Sequence, residues 1–168
     1  IRTIFNILGP LTNPAFAPFQ LLGVFSPDLI ETMAHVLGLL GSRRTLAVHG
    51  AGGLDELSTT GINHIARLEN GGVTTGTLDP RSLGLPPASL DDLRGGEVAD
   101  NAEIARRLLG GEKGPKRDVV LLNAAGLLVA GGKVTDFPAG LSLGAESLDS
   151  GRAREKLEAL VAFTQGEG

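Results

Sequence analysis

Residues 20–50 read QLLGVFSPDLIETMAHVLGLLGSRRTLAVHG, and this stretch decides the fold. It opens with a short apolar run, residues 20–25, which has the length and composition of a buried strand. Ser26-Pro27-Asp28 then supplies a helix start, with serine at the N-cap, proline at the first helical position and an acid in the first turn. Leu29, Met33, Val36, Leu37 and Leu40 recur at helical spacing as far as Gly41, a residue suited to end the helix. Residues 45–48 return to a short apolar strand that runs into His49-Gly50-Ala51-Gly52-Gly53. Two buried strands joined by one helix predict a parallel βαβ unit with a right-handed crossover.

Working outward, residues 62–68 alternate as a strand, Gly71-Gly72 breaks the pattern, and residues 73–78 are placed to return as a hairpin partner. Residues 79–97 are loop-rich, with Pro80, Pro86, Pro87, Gly95 and Gly96. The last third reads as helices. Asp100 or Asn101 caps a run through Ile104, Leu108 and Leu109; residues 118–130 are almost wholly apolar, which predicts a helix buried all round. Residues 136–148 form a further helix, and Ser150 caps a final amphipathic one through Leu157, Leu160, Val161 and Phe163. Before the deciding stretch, a short apolar-periodic segment meets Gly9, Pro10, Asn13, Pro14 and Pro18, which predict a helix end or turn and then an irregular loop. The expectation is a single α/β domain over residues 1–168, with a central, mostly parallel (mixed) sheet flanked by helices.

Composition removes several function classes. With no cysteine among 168 residues there is no disulfide scaffold, thiol nucleophile or thiolate metal site. The net charge of -4 and the lack of a Lys/Arg-rich run argue against a phosphate-backbone grip, and six aromatic residues, all Phe, leave little for base stacking. No apolar stretch reaches the ~20 residues that span a bilayer, and the start does not resemble a secretory signal. A soluble cytoplasmic protein acting on small molecules is expected. Because the chain begins Ile1-Arg2-Thr3 rather than with Met, it is expected to be a piece of something longer.

Ligands of open α/β sheets lie at the carboxyl ends of parallel strands. There the sequence places His49-Gly50-Ala51-Gly52-Gly53-Leu54-Asp55-Glu56-Leu57-Ser58. Glycines permit close backbone approach to a ligand. Two adjacent carboxylates are the hard oxygen ligands that Mg²⁺ prefers, typically one or two of them together with substrate phosphates. On spacing alone the same pair also reads as solvated surface. The glycines are neither a dinucleotide fingerprint, since no helix clearly follows, nor a P-loop, since the Gly-Lys-Ser/Thr ending is missing. Among the three histidines, His35 follows Glu31 by four residues as a surface partner, His64 is structural within a strand, and His49 is the one placed for a site. No triad, HExxH or EF-hand pattern occurs, and no residue is assigned as catalytic. Gly9-Pro10-Leu11-Thr12-Asn13-Pro14 reads either as a rigid connector or as a rigid wall that holds a flat ring at low entropic cost.

Taken together, Arg2-Thr3-Ile4-Phe5-Asn6, Leu8-Gly9-Pro10-Leu11-Thr12-Asn13-Pro14, Gln20-Leu21-Leu22-Gly23-Val24-Phe25, Val48-His49-Gly50 and Gly53-Leu54-Asp55-Glu56-Leu57-Ser58 resemble the anthranilate phosphoribosyltransferases. The likeness continues through Gly95-Gly96, Asn101-Ala102 and Leu122-Asn123-Ala124, so it covers essentially the whole chain. It implies the catalytic-domain fold shared by nucleoside phosphorylases and these transferases. It also implies transfer of the phosphoribosyl group of 5-phosphoribosyl diphosphate to anthranilate, a step of tryptophan biosynthesis that uses Mg²⁺. By this resemblance Asp55 and Glu56 match the acidic pair that holds magnesium, and Gly9 and Pro10 match the segment that packs against anthranilate.

The family's N-terminal helical domain, its Gly-Thr-Gly-Gly-Asp diphosphate loop and its Asn-x-Ser-Thr and Lys-His-Gly-Asn segments are not in this sequence. The family's anthranilate-contacting arginine also precedes Ile1, and Arg2 is not that residue. The resemblance therefore implies a C-terminal α/β portion, inactive alone, whose parent is a homodimer through the missing helical domain. Alternatives are a nucleic-acid-binding non-catalytic relative, a nucleoside phosphorylase of the same fold, and an inert remnant with apolar surface around Ile1, Ile4 and Phe5. The intact acidic pair and the negative charge argue against the nucleic-acid binder, and Gly-Pro-Leu-Thr-Asn-Pro argues against the phosphorylase.

Overall fold

The computed structural model describes residues 5–166, with side chains from Leu8 onward. Residues 1–4 lie outside it, and with them the start of the Arg2-Thr3-Ile4-Phe5-Asn6 motif and the apolar surface expected around Ile1, Ile4 and Phe5. The predicted βαβ unit is present. Strand β1 (Phe19–Gly23) pairs in parallel with β2 (Arg44–His49), from Phe19 opposite Arg44 to Gly23 opposite Val48. A 3-10 turn, Pro27–Leu29, leads into helix α2 (Ile30–Leu39), which joins the two strands. A short helix α1 (Phe5–Leu11) precedes them, with Pro10 inside its last turn, and the irregular stretch through Asn13, Pro14 and Pro18 follows it.

Ser26 takes the extended N-cap conformation, but its side chain makes no capping bond, because the tight turn at Pro27 comes between it and the α-helix. At the other end Gly41 adopts a φ of +99°, while Ser42 N–H donates to Leu37 O (2.9 Å) and Gly41 N–H to Gly38 O (3.1 Å). These paired bonds form a Schellman ending, which needs a left-handed residue at that position.

Antiparallel strands β3 (Asn63–Glu69) and β4 (Gly72–Leu78) complete a four-stranded mixed sheet in the order β1-β2-β3-β4. The hairpin turns at Asn70-Gly71, both with positive φ, as a two-residue turn matched to strand twist requires. Alternation along the strands divides the core. Leu22, Ala47, Ala66 and Leu68 face Ile30, Met33, Ala34 and Leu37 of α2. Leu46 and Val48 face the opposite layer, built by α5 (Pro115–Ala130) and α6 (Phe137–Asp149) through Leu122, Ala125, Ala130 and Phe137. Helix α5 crosses α6 closely at Gly140, where a Cβ would lie 2.8 Å from Ala125 Cα.

The loop-rich region holds a short helix, α3 (Leu90–Leu93), and α4 (Val98–Leu109) follows it. The N-cap of α4 is neither of the expected residues, Asp100 or Asn101: the helix starts earlier, with Glu97 at the N-cap, because Asp100 accepts from Glu97 N–H (3.1 Å) from within the first turn, and Asn101 grips Gly96. Two further expectations are corrected. Helix α5 is not buried all round: Val120 and Leu127 are exposed, because α6 and the sheet together cover only part of its circumference. Ser150 does not start the last helix. It ends α6, and Gly151, with φ +80°, reverses the chain into α7 (Arg152–Thr164), whose Leu160 and Phe163 are exposed. Among the described residues no helix is long and apolar enough to cross a membrane.

Arg117, 4% exposed at the start of α5, donates from Nη2 to Asp149 Oδ1 (2.9 Å) at the end of α6, tying the two helices. The hydrogen bond from Lys113 and the charge of Arg117 hold the Asp149 carboxyl below its ordinary 3.8. A carboxylate depressed in the folded state contributes stability that is present above its unfolded pKa and is lost as pH falls through the folded one. Asp149→Asn is therefore expected to lower the midpoint of thermal unfolding at pH 7 and to converge on the parent protein as pH drops below about 4. A difference that persists unchanged at acid pH would show that the ion pair is not its source.

Candidate functional site

Strand β2 delivers the chain at His49 to a tight turn. Gly50 N–H donates to Leu54 O (2.8 Å) and Gly53 N–H to Gly50 O (3.2 Å), while Gly52 and Gly53 both take left-handed φ values, +83° and +81°. An L side chain is strained in that conformation, so the glycine pair is what permits the turn. The chain leaves it at Asp55 and crosses above the carboxyl ends of β1 and β2. A Cβ at Gly23 would run into the carbonyl of Asp55, and one at Gly50 into the carbonyl of Glu56. Two glycines thus admit the acidic segment against the strand ends, where the open-sheet rule places ligands.

The Asp55 and Glu56 side chains are exposed, whereas the next three residues, Leu57, Ser58 and Thr59, are buried. Leu57, 0% exposed, joins the cluster of Leu46, Val48 and Leu122, and its Cδ1 lies where a Cβ on Gly126 of α5 would sit at 3.0 Å. Partial burial, together with the charge of Asp55, raises the Glu56 carboxyl above its ordinary 4.5. Adjacent like charges disfavour joint ionisation. A bound cation would relieve that repulsion, and the two carboxylates are of the hard-oxygen type that suits Mg²⁺. No group of three or more metal-ligating side chains converges among the described residues. The pair therefore fits an ion whose remaining ligands come from substrate and water.

Side-chain carboxamides hold the buried backbone that follows. Leu57 N–H donates to Asn123 Oδ1 of α5 (2.9 Å), and Asn123 Nδ2 donates to Leu57 O (2.7 Å) and to Val119 O (2.9 Å). Ser58 N–H donates to Oδ1 of the fully buried Asn63 (2.7 Å), whose Nδ2 faces the carbonyls of Ser58, Gly61 and Leu78 at 3.0–3.2 Å. Thr60 Oγ1 ties this segment back to Ala51 O (3.0 Å). Sequence reasoning places neither asparagine in the site. The available signal is a polar residue on the apolar face of α5, since buried amides require partners.

His49, singled out at the strand end, lies beside the loop. Its Nδ1 is 2.7 Å from Val24 O, and because a carbonyl only accepts, Nδ1 carries the proton and the ring links the ends of β1 and β2. His35 sits 3.9 Å from Glu31 on the exposed face of α2, as expected of a surface pair. Gly9 and Pro10 are exposed on α1, where Thr12 N–H (3.2 Å) and Oγ1 (3.1 Å) both close back onto Gly9 O. The acidic loop is anchored by β1, β3 and α5; among the described residues α1 supplies none of its hydrogen bonds.

The sequence pattern of the glycosyl transferase family, a/b domain, matches residues 1–154. The chain is 57% identical over 164 residues to the anthranilate phosphoribosyltransferase of Geotalea uraniireducens (strain Rf4), covering 98% of this chain and 47% of that protein. The crystal structure of anthranilate phosphoribosyltransferase from Thermus thermophilus superimposes with a TM-score of 0.90 at 46% identity, covering 98% of this chain and 49% of that one. Anthranilate phosphoribosyltransferase from Saccharomyces cerevisiae in complex with PRPP and Mg gives a TM-score of 0.80 at 29% identity, covering 94% and 46%. The chain thus spans about half the length of the relatives it matches.

The close approach at Gly23 makes a direct test. Gly23→Ala is expected to destabilise the protein by about 1–3 kcal/mol and to raise amide hydrogen exchange across residues 50–58. Gly76→Ala on β4, where among the described residues a Cβ meets nothing within 4 Å, is the control and should leave that loop's exchange unchanged. Normal exchange in the Gly23 variant would mean that the loop does not rest on β1.

Proposed function

The chain belongs to the glycosyl transferase family by its a/b domain, and on that premise we propose that it is the part of an anthranilate phosphoribosyltransferase that carries the metal-holding acids and one wall of the acceptor site. The reaction moves the phosphoribosyl group of 5-phosphoribosyl diphosphate to the amino group of anthranilate, giving N-(5-phosphoribosyl)anthranilate and diphosphate, within tryptophan biosynthesis. The bond from the ribosyl carbon to the diphosphate oxygen breaks, a bond from that carbon to the amine nitrogen forms, and the amine loses a proton. The observation that carries this reading is the acidic pair Asp55-Glu56, exposed at the carboxyl ends of β1 and β2, in a chain 57% identical to an anthranilate phosphoribosyltransferase.

Asp55 and Glu56 would hold Mg²⁺. That ion, when bound, supplies Lewis-acid neutralisation of the diphosphate leaving group. The chain's own contribution is positional: the glycine turn, with Gly23 and Gly50 beneath the loop, presents both carboxylates at the strand ends. Gly9 and Pro10 suit the flat acceptor ring. Among the described residues no atom lies within 4 Å of a Cβ built on Gly9, and the ring of Pro10 is already rigid, so an aromatic face can lie there at little entropic cost. His49 keeps the ends of the two strands together beneath the site. Neither a nucleic-acid binder nor a nucleoside phosphorylase is favoured by the relatives described above, each of which is named as an anthranilate phosphoribosyltransferase.

In the complete gene product that carries this chain, Asp55→Asn with Glu56→Gln is expected to lower kcat/KM by roughly 10²-fold and to blunt the dependence on Mg²⁺. The assay follows anthranilate consumption with 5-phosphoribosyl diphosphate as donor, and unchanged kinetics would remove the metal assignment. The 168-residue chain alone is expected to show no turnover, since it matches only about half of each relative. Measurable product from it would overturn that part of the reading.

A further inference from the structure

The backbone that follows the acids is held in an unusual way. Asn123 takes the N–H of the peptide joining Glu56 to Leu57 on its Oδ1, and its Nδ2 donates to the carbonyl of the next peptide. Asn63 accepts the N–H of that same next peptide, from Ser58, and donates to the Ser58 carbonyl. One peptide group, Leu57–Ser58, is therefore gripped at its oxygen from α5 and at its nitrogen from β3. The pattern imitates the paired bonds a neighbouring strand would make, but among the described residues no strand pairs with this segment, and the grip begins at the peptide that carries Glu56.

We infer that Asn123 is a positioning residue of this site: by pinning the Glu56–Leu57 and Leu57–Ser58 peptides to α5, it holds Asp55 and Glu56 together on the side where a divalent cation is bound. The inference rests on the metal reading given above. Two adjacent carboxylates repel, and a loop free to move would splay them. A cation would then have to order that backbone on binding, which weakens its affinity. The grip removes the need before the ion arrives. Such supporting groups around metal ligands are worth roughly 10–100-fold in metal affinity.

The molecule contains its own control. Asn101 makes the same two-sided bond to Gly96, with Gly96 N–H to Oδ1 at 2.9 Å and Nδ2 to Gly96 O at 2.8 Å, on an exposed turn before α4. In the complete gene product, Mn²⁺ binding is measured by electron paramagnetic resonance in the presence of inorganic diphosphate. Exchange of the Leu57 amide is measured without metal, alongside the thermal midpoint.

Asn123→Ala and Asn123→Asp are expected to weaken Mn²⁺ binding by roughly 10-fold or more and to speed Leu57 exchange. Asn101→Ala is expected to lower the thermal midpoint with Mn²⁺ affinity intact. Asn123 variants that fold and bind Mn²⁺ like the parent protein, or an Asn101 variant that loses as much affinity, would overturn the inference. So would a failure of both Asn123 variants to fold, since the grip would then be a requirement of the fold and not of the site. The Asp55→Asn, Glu56→Gln protein separates the two levels. If it too binds Mn²⁺ normally, the metal reading fails and takes this inference with it; if it alone loses the ion, only the role of Asn123 falls.

Discussion

Leu57, Ser58 and Thr59 carry irregular backbone into the interior, so its polar groups need partners from the protein. A buried peptide group without a partner costs free energy comparable to a lost hydrogen bond, so loops normally stay on the surface. Here the loop is drawn inward by Leu57, which fills the contact between β2 and α5 and is completely buried. Asn123 and Asn63 supply the bonds that a strand would have made. The satisfaction is not complete: among the described residues Thr59 Oγ1 is buried without a hydrogen-bond partner, as is Thr45 Oγ1 on β2. The remainder of the site follows from this arrangement. Once Leu57 is buried and its neighbours are pinned, the two residues before it have one place to go, across the strand ends and out toward solvent.

The same arrangement explains the site's electrostatics. The carboxylates stand exposed while the backbone that follows them is held by Asn123 and Asn63. Burial and the Asp55 charge together push the Glu56 carboxyl upward. Holding two like charges side by side contributes nothing to folding stability. A site that takes a cation and an anionic substrate group does gain, since both charges are answered at the moment of binding. On the proposed reading, the pinned backbone would let that gain appear as affinity rather than being spent on ordering the loop.

Local signals in the chain are reliable where one residue's own chemistry decides the outcome. Gly41 ends α2 in a left-handed conformation, the hairpin turns beside Gly71, and Asp136 caps α6 by accepting from Ala139 N–H at 2.9 Å. They fail where two assignments compete for the same residue. Ser150 has the side chain of an N-cap, but Gly151 follows it, and a glycine free to take positive φ makes the reversal instead. Ser26 sits at a cap position without making the bond, because Pro27 opens a tighter turn than an α-helix. The apolar run of α5 predicts a helix buried on every side, yet composition does not say how many neighbours a helix has.

The sequence by itself determined the βαβ unit, the hairpin, the helical last third and the presence of an acidic pair after a glycine-rich strand end. Each of these depends on residues near one another in the chain, through periodicity, capping or backbone freedom. Only the tertiary structure decided that Gly23 and Gly50 serve as the floor of the acidic loop, that His49 links the ends of β1 and β2, and that Asn123 grips the backbone of Leu57 across 66 positions. Those contacts are set by how the α5 layer packs on the sheet. A carboxamide 66 positions away carries no local mark of which backbone it will meet, because its partner is chosen by packing and not by spacing.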